Sequence, residues 1–171
     1  MKYVFSKLSL ASAAWLMACG AQAAGTPAPD KFLSSAMQDG RAEVAVCQLA
    51  LKKASSREVK DFAQRMIKDH SEADAKIAQL AQSKHHKLAS GTTLKQKASY
   101  EMLKVRSGTS FDKSFMEHNV NDHQEDVKNF EDQSKNSSDA DVKQFAATTL
   151  VTLKEHLEMA QGVNSKLASA K

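Results

Sequence analysis

Cysteine, proline and long apolar runs are scarce in this chain, and each scarcity removes a class of structure. Only Cys19 and Cys47 occur in 171 residues, too few for a disulfide framework. Both prolines, Pro27 and Pro29, fall in one short stretch, so nothing after it carries the residue that breaks helices. No segment shows the period-two alternation of a half-buried strand. Beyond the N-terminus no run approaches the roughly 18 apolar residues of a membrane span. Aromatic residues make up 6% of the chain and the formal net charge is +4. The lysines are interspersed with acids and form no basic patch with aromatics between, which excludes a nucleic-acid surface. The methionines are scattered over core-type positions and form no copper-binding Met box.

The N-terminus reads as an export signal. Lys2 and Lys7 give a basic start, Leu8 to Ala18 is apolar but too short for an anchor, and Ala21-Gln22-Ala23 is a small-x-small cleavage site. Cleavage after Ala23 would leave residues 24–30 as a linker before a domain at 31–168, and would place the protein in the periplasm. Leu16-Met17-Ala18-Cys19 offers the competing reading of a lipoprotein box, with Cys19 acylated and the protein held at the outer membrane. Losing Lys2 and Lys7 and no acid leaves 22 basic against 20 acidic residues, a net charge of about +2. Cys47 is then the one remaining cysteine, on an apolar helical face where it reads as a small core residue.

What is abundant is helix-forming: Ala, Lys, Gln, Glu and Leu. Four amphipathic stretches follow a 3.6-residue period. The first runs from about Asp30 to Ala54, with Phe32, Leu33, Ala36, Gly40, Glu43, Val44, Cys47, Leu51 and Ala54 on one face. The second, from about Arg57 to Ser83, aligns Val59, Phe62, Ala63, Met66, His70, Ala73, Ile77 and Leu80. After a polar loop from His85 to Thr93, a third covers about Leu94 to Gln133, with Ser107-Gly108 as its natural breaking point. The fourth, about Ala140 to Ala168, carries Val142, Phe145, Leu150, Leu153, His156, Leu157 and Ala160. Ser55-Ser56 before Glu58-Val59-Lys60-Asp61-Phe62-Ala63 is echoed by Ser137-Ser138 before Asp141-Val142-Lys143-Gln144-Phe145-Ala146. The chain therefore reads as two similar helical hairpins, and an all-α, antiparallel four-helix bundle is the expected fold.

One polar residue interrupts each apolar stripe: Glu43, His70, His123 and His156. Counting about 1.5 Å per residue from the hairpin turns puts Glu43 and His70 within roughly 3 Å in height, but leaves His123 and His156 some ~10 Å out of level. Imidazole and carboxylate together suit one transition-metal ion, Fe, Zn, Mn or Cu, and facing helices of a bundle are a common place for such a site. The same four residues could equally form a buried hydrogen-bond network that fixes helix register without an ion. Asp69 and Asp122 each precede a histidine by one residue, about 100° around the helix, and are placed to support a neighbouring helix's histidine rather than their own. His118 and Asp122, four apart, form an outer pair. His85-His86 reads as a solvated surface pair.

These features together resemble a known family. Phe32-Leu33 with Gly40 and Glu43, Val59-Lys60-Asp61-Phe62-Ala63-Gln64-Arg65-Met66 with Asp69-His70, Phe111-Asp112 with Asp122-His123, and Leu153 with His156-Leu157 are similar to the exported bacterial family named domain of unknown function 4142, over about Lys31 to Leu167. The resemblance implies a ferritin-like four-helix bundle in the periplasm or at the outer membrane, and no assigned activity. Di-iron members of the ferritin-like class use Glu-x-x-His on two helices. Here Ile67 and Leu153 stand three before His70 and His156, so di-iron oxidation and iron storage are not expected. Three functions fit: a non-enzymatic envelope protein with one core metal, in stress or metal handling; a mononuclear metalloenzyme of oxidative or hydrolytic type; or a module that binds an envelope protein partner.

Overall fold

The structure is a computed structural model that describes residues 25–170. The expected export signal, its expected cleavage site and Cys19 lie outside the described residues. The described residues form five α-helices: α1 (Pro29–Lys53), α2 (Arg57–Ser83), α3 (Leu94–Lys104), α4 (Gly108–Asn136) and α5 (Ala140–Ser169). No described residue is in a strand.

Local chemistry sets most helix starts. Pro29 occupies the first turn of α1, where its missing N–H costs nothing. The Ser56 hydroxyl accepts from Val59 N at the start of α2. Thr93 and Gln96 form a reciprocal capping box on α3. Asp139 accepts from Asp141 N and Val142 N at 3.0 Å each, so α5 is capped one residue later than the Ser137-Ser138 echo suggests. The expected third helix is two helices. The chain leaves α3 at Lys104 and restarts at Gly108, whose φ of 58° lies in the left-handed region open to glycine.

The apolar residues fall into two clusters. One holds Val46, Cys47 and Ala50 of α1, Val59, Phe62 and Met66 of α2, Phe111, Phe115 and Met116 of α4, and Ala160 of α5. The other holds Phe32, Leu33 and Met37 of α1, Ile77 of α2, Phe130 of α4, and Val142, Phe145 and Leu153 of α5. Cluster membership fixes direction: α1 and α5 run one way, α2 and α4 the other. The main packed pairs are α1 with α2 and α4 with α5, and the hairpins meet along α2–α5 and α1–α4, so all these neighbours are antiparallel. Because α2 ends and α4 begins at opposite ends of the molecule, the connection must travel its length. The segment 84–107, containing α3, makes that crossing, and Leu103 docks into the first cluster.

The α1 stripe differs in detail from the expected one. Val44 and Leu51 are half-buried, while Met37, Val46, Leu49 and Ala50 are buried. Helices α2, α4 and α3 all pack on α1, so its buried face is wider than a single stripe.

Candidate metal centre

Between the two apolar clusters the four long helices each contribute one polar side chain at the same level: Glu43 from α1, His70 from α2, His123 from α4 and His156 from α5. All are buried, His123 and His156 almost completely, at 0% and 1% exposed. The imidazole centroids are 5.7 Å apart for His70–His123, 5.5 Å for His70–His156 and 5.4 Å for His123–His156. The expected ~10 Å offset of His123 from His156 is therefore absent. Helix α4 continues three residues past Gln133 to Asn136 and only 137–139 intervene before α5, so the two histidines stand 13 and 16 residues from the ends that the turn joins.

Each side chain is oriented by a different device. The His123 Nδ1 lies 3.0 Å from the Asn119 carbonyl one turn earlier, an arrangement that puts the proton on Nδ1 and turns the lone pair of Nε2 inward. The His156 Nε2 lies 3.0 Å from Asp69 Oδ2, which leaves Nδ1 facing the centre. Asp69 comes from α2, beside His70 in sequence but serving the histidine of α5. Its carboxylate is also bonded by Arg65, with Lys68 at 3.4 Å, and Arg65 reaches Glu155 at 3.4 Å. Glu43 lies 2.6 Å from His70 Nε2 through Oε2 and 3.5 Å from His123 Nδ1 through Oε1. The 2.6 Å contact is not aligned as a hydrogen bond, and Glu43 Oε2 and His70 Nε2 both lack such a partner. Charge attraction carries that pair.

Electrostatics separates the groups. Burial alone would raise the Glu43 carboxyl, but His123 and His70 outweigh it and hold it well below the usual carboxylate range. Burial would lower His70, yet the Glu43 charge lifts it to about 9. His156 is pushed down to about 4, mainly by burial, with His70 and His123 adding to the effect against Asp69. Asp69 is held at about 2: burial opposes this, and the bonds from Arg65 and His156 prevail.

One ring nitrogen from each of His70, His123 and His156 lies within 4.8 Å of the others. Among the buried ring nitrogens, His123 Nε2 and His156 Nδ1 have no hydrogen-bond partner, and His70 Nε2 has only the unaligned Glu43 carboxylate at 2.6 Å. Buried polar atoms without partners are rare because each costs about 1–3 kcal/mol. Three imidazoles and a carboxylate fit Zn, Fe, Mn or Cu rather than Mg or Ca. Metal–nitrogen bonds of about 2.0–2.1 Å would require the rings to close by roughly an ångström.

Asp122 is not part of this layer. It pairs with His118 at 3.1 Å on the outer side of α4, where its position one residue before His123 turns it away from the core. His85 and His86 sit in the connection after α2, far along the chain from the centre; His85 is exposed and His86 half-buried.

Residues not singled out from the sequence also reach the region. Asp74 and Asp126 line a cavity of about 30 Å³ together with Gly40, His70 and His156. They stand four after His70 and three after His123, a helical spacing that would have pointed to them. A Cβ on Gly40 would lie 2.5 Å from Asp74 Oδ1, so glycine is what lets α1 approach that carboxylate. Burial raises Asp74 to about 6. Asn119, 2% exposed, gave no sequence signal because its role is carried by its main-chain carbonyl.

The fold and its centre define an all-α protein with a buried polar layer across four long helices. The chain belongs to the family described as Domain of unknown function (DUF4142), which it matches over residues 16–163. No curated protein matches the sequence. Two solved structures share the fold. A DUF305 fragment from Deinococcus radiodurans superposes with a TM-score of 0.74 at 14% identity, covering 83% of this chain and 98% of the other. The protein named "putative secreted protein DUF305" from Streptomyces coelicolor superposes with a TM-score of 0.71 at 9% identity, covering 84% and 96%. Among the described residues no helix is long and apolar enough to cross a membrane.

Proposed function

We propose that this protein is an exported, ferritin-like four-helix bundle of the periplasm or outer-membrane surface that holds one transition-metal ion through His70, His123, His156 and Glu43, with α3 as an insert in its long crossover. The observation that carries the reading is the convergence of three buried histidines, in which His123 Nε2 and His156 Nδ1 have no hydrogen-bond partner while their opposite ring nitrogens bond Asn119 and Asp69, beside the Glu43–His70 ion pair. A register-fixing network would be expected to pair those two nitrogens, and to leave neither over. The residues three before His70 and His156 cannot ligate, which argues for one ion rather than a di-iron pair. Metal handling, or protection of the envelope under stress, suits a closed centre of this type. Export is supported by the N-terminal signal pattern and by a structural neighbour named as secreted.

Binding without turnover is the favoured role. The small cavity that touches His70 and His156, about 30 Å³, admits only a water-sized molecule. That same cavity supports a second reading, in which His70, His123, His156 and Glu43 would hold an ion that could polarise a bound peroxide or dioxygen. An envelope-partner module would draw on Leu94, Met102 and Val105, exposed on and just after α3.

Elemental analysis of protein produced without a His tag tests the proposal. About one transition-metal ion per chain is expected, lost in His70→Ala and His123→Ala while circular dichroism retains the helical signal. Metal-free protein after incubation with excess zinc, iron, manganese or copper would refute it. Consumption of peroxide or oxygen by loaded protein would favour the redox reading.

A further inference from the structure

The histidine centre is closed, yet it is not isolated from the surface. A second cavity, about 210 Å³, opens between α1, α3 and α4, and its walls carry Asp39, Glu43, Asp122, Glu125 and Asp126. Lys95 and His118 are the basic residues on that lining, and His118 pairs with Asp122 at 3.1 Å. The concentration of acid stands out in a chain whose formal net charge is +4.

Connectivity gives this cleft its meaning. Asp39 and Asp126 line both the cleft and the 30 Å³ cavity that touches His70 and His156. Glu43 lines the cleft and lies 2.6 Å from His70 Nε2. It is 7% exposed, and its Oε2 has no aligned hydrogen-bond donor. Asp39 and Asp126 are thus shared walls of the two cavities, and Glu43 joins the cleft to His70. At the mouth, Lys95 of α3 lies 3.3 Å from Glu125 of α4, a pair with both side chains mostly exposed and therefore weak. Further in, Gln96 of α3 donates to Asp39 at 2.6 Å. Helix α3 thus roofs the cleft and holds it with two polar contacts.

We infer that the cleft between α1, α3 and α4 is the access route by which a hydrated divalent transition-metal cation reaches the histidine centre, drawn in by Asp122 and Glu125 and passed along Asp39 and Asp126 to Glu43. This rests on the metal-binding reading above. A cleft lined by one sign of charge within low-dielectric walls concentrates the opposite ion and raises its association rate by about 10- to 1,000-fold, an effect that salt suppresses. The Lys95 ammonium opposes it and restrains the rate.

Stopped-flow loading of the metal-free full chain with cobalt(II) chloride, read by visible absorbance, tests the route. The double variant Asp122→Asn/Glu125→Gln is expected to load about tenfold more slowly at low salt, with one cobalt still bound per chain. Lys95→Gln is expected to load several-fold faster, and all rates should converge as salt rises. Unchanged rates with stoichiometric binding would overturn the route while leaving the histidine centre intact. Loss of stoichiometric cobalt in the double variant would also overturn it, because the cleft would then be the binding site. Absence of any cobalt binding by the unaltered chain would remove both this route and the centre it serves.

Discussion

His156 and His70 are the same amino acid at the same level of one core, yet their basicities are driven apart, to about 4 and about 9. The difference comes from neighbours: His70 faces the ionised Glu43, while His156 is buried beside two other imidazoles. A histidine raised in the folded state stabilises fully below its unfolded pKa and loses that contribution as pH rises through the folded one. Metal-free protein should therefore lose roughly 1–3 kcal/mol of stability between pH 6.5 and about 9, measured by urea unfolding with a chelator present. His70→Gln should flatten that slope. Asp69 belongs to the same scale. Removing a carboxylate that orients a ligating histidine typically weakens metal binding about 10- to 100-fold. Asp69→Ala is expected to do so with unchanged stoichiometry by competition titration; affinity within a factor of two would deny it a role in positioning His156. Glu43, His70, His123 and His156 were legible in the sequence because each breaks an apolar stripe at helical spacing. Asn119 was not, since a main-chain carbonyl carries no residue signature, and Asp74 was not, since it lies off the apolar period of α2.

One contact between the elements is concentrated on a single carboxylate. Asp112, 1% exposed at the start of α4, accepts from Ser55 N at 3.1 Å, Ser56 N at 2.9 Å and the Ser55 hydroxyl. It thereby caps the α1–α2 turn from a different hairpin. Asp112→Ala would leave two main-chain N–H groups without their acceptor, at a cost of about 2–4 kcal/mol, and should lower Tm by roughly 5–10 °C in a thermal melt. A change under 1 °C would mean that water replaces the carboxylate. Helix existence and type were readable from period and composition. The division of the third helix at 105–107 was readable as a breaking point, because Ser107-Gly108 interrupts helix propensity. The extension of α4 to Asn136 was not, since the polar residues 134–136 look like turn formers and are held helical by the short 137–139 connection.

On the scale of the whole molecule, the polar layer divides the core into two apolar clusters. A polar layer with unsatisfied ring nitrogens in that position weakens a fold, and an ion that binds only the folded state would restore stability by mass action. Free metal at about 100 times Kd should stabilise the protein by about 2.7 kcal/mol, visible as a concentration-dependent rise in Tm that His123→Ala abolishes. A Tm indifferent to metal would place the ion outside the core.

By itself the sequence determined the all-α class, the two hairpins and the four inward polar positions, because hydrophobic periodicity and the absence of internal proline are local properties of the chain. Tertiary structure alone decided that these positions coincide in one layer, that Asp69 serves the histidine of another helix, that Asp122 stands aside and that an acidic cleft leads inward. Those outcomes depend on helix ends, crossing and stagger, where a shift of three residues moves a side chain by about 4.5 Å, enough to make or abolish a shared site.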